Sequence, residues 1–265
     1  MRIGKQDDAF TAVATSDEHS ITVRGHDLCG DLIGRIGFTD YFWLLVAGER
    51  PSEAQRGMMD ACLAAIAEHG LVPSVQAARM TLAAAPEAYQ GAMGAGILGM
   101  GSVVAGSSEV AGRYVAGVLA DAKDSMEAAA ERSLKDLKSR RAKVPGLGHP
   151  QHSTGDPRAN RLYEVAGELG FRGEHCRMFE VLRDAAPGIM GRPLPINVSG
   201  AIPATLLDAG WPIEAMKSVP ILARVAGLAA HLLEEQARPI GFIMSHHADL
   251  AIDYDGAASG REAAE

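Results

Sequence analysis

Residues 143–163 read KVPGLGHPQHSTGDPRANRLY. In this stretch Gly146 and Gly148 permit backbone angles that other residues rarely adopt, and they let a ligand come close to the main chain. Pro145 and Pro150 flank the segment from Gly146 to His149 and stiffen the loop on both sides. An imidazole titrates near neutral pH, so a histidine held in this way is suited to moving a proton. A surface turn that merely contains a histidine fits the local pattern equally well.

The same stretch continues with Asp-Pro-Arg at 156–158. Asp156 is a predicted helix N-cap and Pro157 suits the first helical position. Arg158 would then lie at a helix N-terminus, where backbone amides add positive potential and the guanidinium fork matches a carboxylate. The stretch therefore predicts a proton-transfer group beside an anion clamp, and the alternative is an arginine on a solvated face.

The composition predicts a globular and nearly all-α chain. Of 265 residues, 47% are hydrophobic and 22% are charged, with many glycines and alanines and few aromatics. Hardly any alternating strand pattern is visible. We expect an arm at 1–20, a single domain at 21–255 with a smaller lobe at about 144–220, and a flexible tail at 256–265.

Helix boundaries are marked by local signals. Ser52 is a predicted N-cap, Gly70 a C-terminal break and Pro73 a first-turn residue. The apolar, glycine-rich stretch at 91–119 is interpreted as one helix. Its small residues require a close helical partner, which favours a homodimer or a higher assembly of dimers.

Several classes of protein are disfavoured. A net charge of -8 without a long basic run argues against broad nucleic-acid binding. Three widely spaced cysteines without CxxC predict no disulfide framework and a reducing cytoplasm. No signal core and no uninterrupted apolar run of about 20 residues is seen, so we expect no membrane span. The adjacent His246 and His247 project differently and make a poor metal pair, so we expect no metal.

Further candidate residues are His69 in EHGLVPS, Arg224 in LARVAGLAAH and Arg238 in QARP. Singly, such residues are mostly structural, but their order along the chain resembles the citrate synthase superfamily from about residue 20 to 250. The opening VRGHDLCGDLIGRIGFTDYFWLLVAGERPS, the EHG, the VPGLGH loop, the DPRA that follows it, the ARVAGLAAH helix and the ARP each resemble the corresponding family motif. The resemblance implies the helical citrate synthase fold, truncated at its N-terminus.

The resemblance also implies roles for these residues. His149 would exchange a proton with the tertiary hydroxyl or carbonyl oxygen of the substrate. His69, Arg158 and Arg224 would hold substrate carboxylates, and Arg238 would reach into a neighbouring subunit's site. The coenzyme A adenine pocket would be lined by the loop backbone, that is by Val144, Pro145, Gly146, Leu147 and Gly148.

Two departures from the family pattern bear on the reaction. The synthases carry a second catalytic histidine in a GPLHGG loop, and here the stretch is GMGSVVAGSSE. The citryl-CoA lyase branch, including the lyase module of ATP-citrate lyase, resembles this chain more because it is also short and lacks that histidine. The family places a catalytic aspartate in "N.D", whereas INVSG puts Ser199 at that catalytic position.

The resemblance therefore predicts an enzyme that reversibly cleaves citryl-CoA, or a related carboxylate-bearing 3-hydroxyacyl-CoA, to acetyl-CoA and a 2-oxo acid such as oxaloacetate. Coenzyme A enters as the acyl-CoA substrate or product. Two alternatives remain: a non-catalytic acyl-CoA-binding or regulatory homologue, and a lyase or synthase for a different acyl-CoA. Retention of His149, Arg158 and Arg224 favours an enzyme, and loss of the acid at 199 favours the binder.

Overall fold

The computed structural model describes residues 9–148 and 155–256. His149 lies outside the described residues. The chain divides into a larger unit, Met1–Ile66 with Ser102–Pro220, and a smaller unit, Ala67–Gly101 with Ile221–Glu265. Residues 144–220, where the sequence predicted a smaller lobe, belong to the larger unit.

The prediction of a nearly all-α chain is confirmed. The strands among the described residues are short, namely β1 (Ala14–Ser16), β2 (Ile21–Val23) and β3 (His26–Asp27), antiparallel in that order. The α-helices are α1 (Phe38–Ala47), α2 (Glu53–Ala67), α3 (Pro73–Ala84), α4 (Tyr89–Leu98), α5 (Ser107–Ala120), α6 (Met126–Ser139), α7 (Pro157–Glu168), α8 (Glu174–Met190), α9 (Val198–Asp208), α10 (Ser218–Ala237) and α11 (Gly241–Ala251). A π-helical turn at Leu28–Leu32 and a 3₁₀ turn at Ile213–Ala215 complete the order.

Helix α9 is the central helix of the larger unit. It packs against α5, α7 and α8, and eight of its eleven residues are buried. Around it lies one apolar core that includes Trp43, Leu134 and Phe179. Burial on all sides leaves α9 little freedom, so the side chains at its first turn are held in place.

The predicted helix boundaries are confirmed. The Ser52 hydroxyl accepts from Gln55 N at 3.2 Å, and Gln55 Oε1 accepts from Ser52 N at 2.8 Å. This reciprocal pair is a capping box that starts α2. Pro73 is the first residue of α3 and Gly70 has φ +70°.

The prediction of one helix over 91–119 is wrong, because α4 ends at Leu98 and α5 begins at Ser107. The glycines do mark close packing. A β-carbon on Gly96 would lie 2.8 Å from Leu228 Cδ1, and one on Gly112 would lie 3.0 Å from Pro203 Cβ. Each of these two glycines thus finds its close partner within its own unit, so they carry no argument for a second copy of the chain.

One described segment, Ile213–Ala237, is long and apolar enough to cross a membrane by length and composition alone, with a mean hydropathy of 1.3. In its most apolar window 44% of the residues are buried. A buried core helix passes the same test, so this is weak evidence for a span.

Candidate active site

Arg158 is held by a buried carboxylate two residues before it. Asp156 Oδ1 accepts from Arg158 N at 3.1 Å and from Arg158 Nε at 3.0 Å. Asp156 Oδ2 accepts from Arg158 Nη2 at 3.0 Å and from Val198 N at 3.0 Å. One carboxylate therefore caps α7, binds the first amide of α9 and fixes the guanidinium in a bidentate geometry.

The electrostatics of this group follow from its contacts. Burial raises the pKa of Asp156, but the hydrogen bonds from Arg158 and from Val198 outweigh it and hold the pKa below its usual value. The Arg158 side chain keeps 20% exposure, so it is fixed without being sealed off. It also lines a mostly apolar groove of about 510 Å³ between α2 and α7.

Ser199 lies in the first turn of α9. Asn197 caps this helix, with its Oδ1 accepting from Gly200 N at 3.1 Å. The Ser199 hydroxyl lies 2.9 Å from the Ser107 hydroxyl, and Ser107 Oγ donates to Val104 O at 2.6 Å. Ser107 was not among the residues predicted from the sequence, although it belongs to the stretch GMGSVVAGSSE that lacks the family histidine.

The VPGLGH loop pairs with the residues just before α9. Leu147 and Ile196 form an antiparallel bridge, with Gly148 N donating to Pro195 O at 2.7 Å and Asn197 N donating to Gly146 O at 3.0 Å. The Asn197 side chain also donates to Gly148 O at 2.6 Å. The loop and the start of α9 are thus one hydrogen-bonded assembly.

Gly146 is required for a reason that differs from the one predicted. Its φ is +80°, and a β-carbon there would lie 2.7 Å from Phe179 Cε1 and 2.9 Å from Gly200 Cα. The close approach that the sequence assigned to a ligand is made here by α8 and α9. Val144 and Leu147 are buried, so only the backbone of this loop and Pro145 are candidates to face a nucleotide, and that role stays a prediction.

Beside this loop lies a cavity of about 380 Å³ with polar and apolar walls. Gly155, Pro195 and Ile196 form its loop side. Arg172 and Arg183 also line it; they pair with Glu180 and Asp184, respectively. The positive charges of these two arginines are therefore paired with carboxylates, and the cavity is not strongly basic.

In the smaller unit, Glu68 holds the backbone of His69. Glu68 Oε1 accepts from His69 N at 2.7 Å and from Gly70 N at 2.6 Å, and Oε2 lies 3.0 Å from His231 Nε2. Burial raises the pKa of Glu68, but the hydrogen bonds from His231, Gly70 and His69 outweigh it and lower the pKa. The His69 side chain is exposed while its backbone is fixed.

A buried ion pair lies next to His231, the imidazole that contacts Glu68. Arg79 Nε donates to Glu235 Oε2 at 2.6 Å, and Arg79 Nη1 lies 3.5 Å from His231 Nδ1. Glu235 Oε1 in turn accepts from Gly241 N at 2.8 Å. This pair was not predicted from the sequence, because its only local signal is a lone arginine inside the apolar segment PSVQAARMTLAAA.

The two remaining predicted arginines lie in the smaller unit. Arg224 is buried, at 5% exposure. The Arg238 side chain is 82% exposed, with Nη1 3.9 Å from Glu234 Oε1, while its carbonyl accepts from Arg79 Nη2 at 3.0 Å. Substrate binding by either arginine, and a role of Arg238 in a neighbouring subunit, stay predictions.

The pattern "Citrate synthase, C-terminal domain" matches residues 35–241. The chain belongs to the citrate synthase family. Among curated family members it is 29% identical to a citrate synthase from Haloferax volcanii over 196 residues, which is 73% of this chain and 50% of that protein. It is 25% identical to a citrate/2-methylcitrate synthase from Bacillus subtilis over 205 residues, 76% of this chain and 53% of that protein. The chain spans about half the length of the curated relatives it matches.

Solved structures of the family extend the comparison. Citryl-CoA lyase from Hydrogenobacter thermophilus superposes with a TM-score of 0.85 and 31% identity, covering 98% of this chain and 97% of that chain. ATP citrate lyase from Methanothrix soehngenii, in complex with citrate and coenzyme A, superposes with a TM-score of 0.78 and 18% identity over 99% of this chain and 44% of that chain. The first likeness confirms the predicted resemblance to the citryl-CoA lyase branch, and the second concerns the fold alone.

Within this citrate synthase family chain, the predicted site residues fall in both units. The larger unit holds Arg158, Ser199 and the loop at 144–148, which Asp156 and Asn197 tie together. The smaller unit holds His69, Arg224 and Arg238. Over residues 9–148 and 155–256 no cluster of three or more histidine, cysteine, aspartate or glutamate side chains is arranged to bind a metal.

Proposed function

We propose that the chain is a citryl-CoA lyase-like enzyme that cleaves the carbon–carbon bond of citryl-CoA, or of a related carboxylate-bearing 3-hydroxyacyl-CoA, to acetyl-CoA and a 2-oxo acid such as oxaloacetate. The observation that carries the proposal is the likeness to a solved citryl-CoA lyase over 98% of this chain and 97% of that one, at 31% identity. The segments matched in the two synthases cover only 50% and 53% of those proteins.

The fixed orientation of Arg158 and the fixed backbone of His69 support recognition of a polycarboxylate. Asp156 holds Arg158 in one orientation, and Glu68 holds the backbone of His69. A guanidinium that is already oriented loses little freedom when it binds a carboxylate, and the fork shape favours carboxylate over other anions. We propose that Arg158, His69 and Arg224 bind the substrate carboxylates and that His149 removes the proton of the substrate hydroxyl.

The serine at 199 favours cleavage as the working direction. Condensation must begin with removal of a methyl proton from acetyl-CoA, and a serine hydroxyl stays protonated at neutral pH and is too weak a base to do this unaided. Cleavage instead delivers a proton to an enolate that has already formed. An enzyme does not change the equilibrium constant of its reaction. The proposal therefore concerns the rate of the proton-transfer step and the identity of the native substrate.

The test is to incubate the purified protein with citryl-CoA and with a panel of other 3-hydroxyacyl-CoA thioesters, and to quantify acetyl-CoA and the 2-oxo acid by chromatography. We expect equimolar products, no turnover by His149→Ala with coenzyme A binding kept, and a raised KM in Arg158→Lys. Arg161→Lys is the matched control, because Arg161 lies on the same helix but is 60% exposed and pairs with Glu164 and Glu168. Equal KM values in the two lysine variants would contradict the role given to Arg158.

A non-catalytic acyl-CoA-binding or regulatory subunit is the second candidate, and the missing acid at 199 is the observation that favours it. This candidate predicts tight coenzyme A binding by calorimetry and no turnover of any thioester in the panel. Turnover of one thioester other than citryl-CoA would keep the enzyme class and change the substrate.

We also propose a cytoplasmic dimer or an assembly of dimers in which Arg238 completes the neighbouring site. The support is the family resemblance together with the 82% exposure of this side chain. Light scattering that gives a monomer at micromolar concentration would remove this role.

A further inference from the structure

Two serine hydroxyls in the larger unit form a directed chain. Ser107 Oγ lies 2.6 Å from Val104 O and 2.9 Å from Ser199 Oγ. A carbonyl oxygen can only accept, and each hydroxyl has a single proton to donate. Ser107 therefore donates to Val104, and in the serine pair Ser199 must be the donor.

The helix packing fixes this pair. Ser107 is the first residue of α5 and Ser199 lies in the first turn of α9, and these helices contact each other where Gly112 meets Pro203. The amide of Val198 is bound by the buried Asp156 at 3.0 Å. The separation of the two hydroxyls is thus set by main-chain packing rather than by free rotation of two exposed side chains.

We propose that Ser107 is a positioning residue that keeps Ser199 as a hydrogen-bond acceptor, so that Ser199 holds a water molecule rather than donating directly to the enolate oxygen. This inference rests on the proposed function. The proton of Ser199 is committed to Ser107, and its lone pairs are what it can offer to a ligand. An acceptor at this position takes the place of one carboxylate oxygen of the aspartate that the family pattern has there.

This arrangement serves the proton transfer that completes the cleavage. The substrate hydroxyl gives its proton to His149, the carbon–carbon bond breaks, and the electron pair of that bond passes to the carbon next to the thioester carbonyl, which gives the enolate of acetyl-CoA. The water held by Ser199 donates a proton to the enolate carbon, and the hydroxide that remains takes up the proton that His149 received from the substrate hydroxyl. Neither serine changes its protonation state.

The direction in which the cleavage rate changes in one variant distinguishes the two roles of Ser199. In Ser107→Ala the Ser199 proton is released. We expect the rate of citryl-CoA cleavage to fall by about tenfold, the effect of one ordinary hydrogen bond, with KM unchanged. If Ser199 donated to the enolate instead, removal of the competing acceptor would leave the rate unchanged or raise it, and that result would overturn the proposal.

Three further variants separate positioning from loss of structure. Ser107→Thr keeps the hydroxyl and should restore the wild-type rate. Ser102→Ala changes an exposed serine of the same stretch and should have no effect. Ser107→Ala combined with Ser199→Ala should be no slower than Ser199→Ala alone, because Ser107 acts through Ser199. Additive losses, or no rescue by threonine, would contradict the proposal.

Neutron diffraction of the deuterated protein tests the same inference without any activity. We expect the Ser199 deuteron between the two serine oxygens and the Ser107 deuteron directed at Val104 O. A Ser107 deuteron directed at Ser199 would refute the inference even if cleavage is observed. Absence of cleavage by the wild type would refute the proposed function and the catalytic role of the water, and the diffraction result then decides the orientation of the pair by itself.

Discussion

Asp156→Asn is expected to destabilise the fold strongly and to release Arg158. The amide has nearly the shape of the carboxylate, so packing is kept. Each carboxylate oxygen accepts from two N–H groups, Oδ1 from the amide and Nε of Arg158, and Oδ2 from Arg158 Nη2 and Val198 N. Whichever way the new amide turns, its NH₂ group faces two donors, so two hydrogen bonds are lost.

The magnitude follows from the burial of the site. Asp156 has no exposed surface, and the Arg158 side chain is 20% exposed. Breaking a buried charge pair by removing one partner typically costs about 3–5 kcal/mol. Asp184→Asn is the matched control, since this carboxylate lies 2.7 Å from Arg183 Nε but is 67% exposed, and such surface pairs contribute below about 1 kcal/mol.

Urea unfolding at pH 7 measures both variants. We expect Asp156→Asn to lower the free energy of unfolding by at least about 2 kcal/mol more than the control does. The difference from wild type should also depend on pH. The folded pKa of Asp156 lies below the unfolded value of about 3.9, so its contribution is present above that pH and is lost as the pH falls through the folded pKa. A loss at pH 7 no larger than that of the control, or one unchanged at pH 3, would refute this reasoning.

Three other perturbations have defined outcomes. Gly146→Ala should lower the free energy of unfolding by about 2–4 kcal/mol, because its β-carbon would lie 2.7 Å from a buried ring. Gly117→Ala is the control, and because the space around Gly117 is open it should stabilise its helix by up to about 1 kcal/mol. Thermal melting compares the two variants. Glu68→Gln should raise the KM for the carboxylate substrate by about 3–10-fold with little change in kcat, because the backbone amides of His69 and Gly70 lose a charged acceptor. Steady-state kinetics measure this, and a change confined to kcat would contradict the prediction. Thiol titration should modify only the exposed Cys29 in the native protein and all three thiols in denaturant, since burial raises the pKa of Cys62 to about 12; two fast native thiols would contradict the described burial.

How much of this could be read from the sequence depends on the range of the interactions. The N-cap formed by Asp156 could be predicted from the sequence, because a carboxylate oxygen three bonds from its own Cα reaches the first amides of the following helix whatever the rest of the fold does. The contact of the same carboxylate with Val198 joins residues 42 positions apart, so no local pattern contains it. The break between α4 and α5 was missed because glycine-rich apolar sequence has the same composition in one helix or in two. Ser107 was missed for a similar reason, since a serine in such a stretch carries no signal until α9 is packed beside it.

Both units use the same device to hold a residue of the family pattern. In each, a carboxylate one or two positions before the predicted substrate-binding residue binds nearby amides and a cation or imidazole, Asp156 for Arg158 and Glu68 for His69. Both carboxylates have lowered pKa values, because hydrogen bonds outweigh their burial. They are therefore ionised at every pH above about 5, so neither carboxylate changes its charge between pH 5 and 8. Any loss of cleavage activity near pH 6–7 must then report a group other than these two carboxylates, and the ordinary pKa of an imidazole lies in this range.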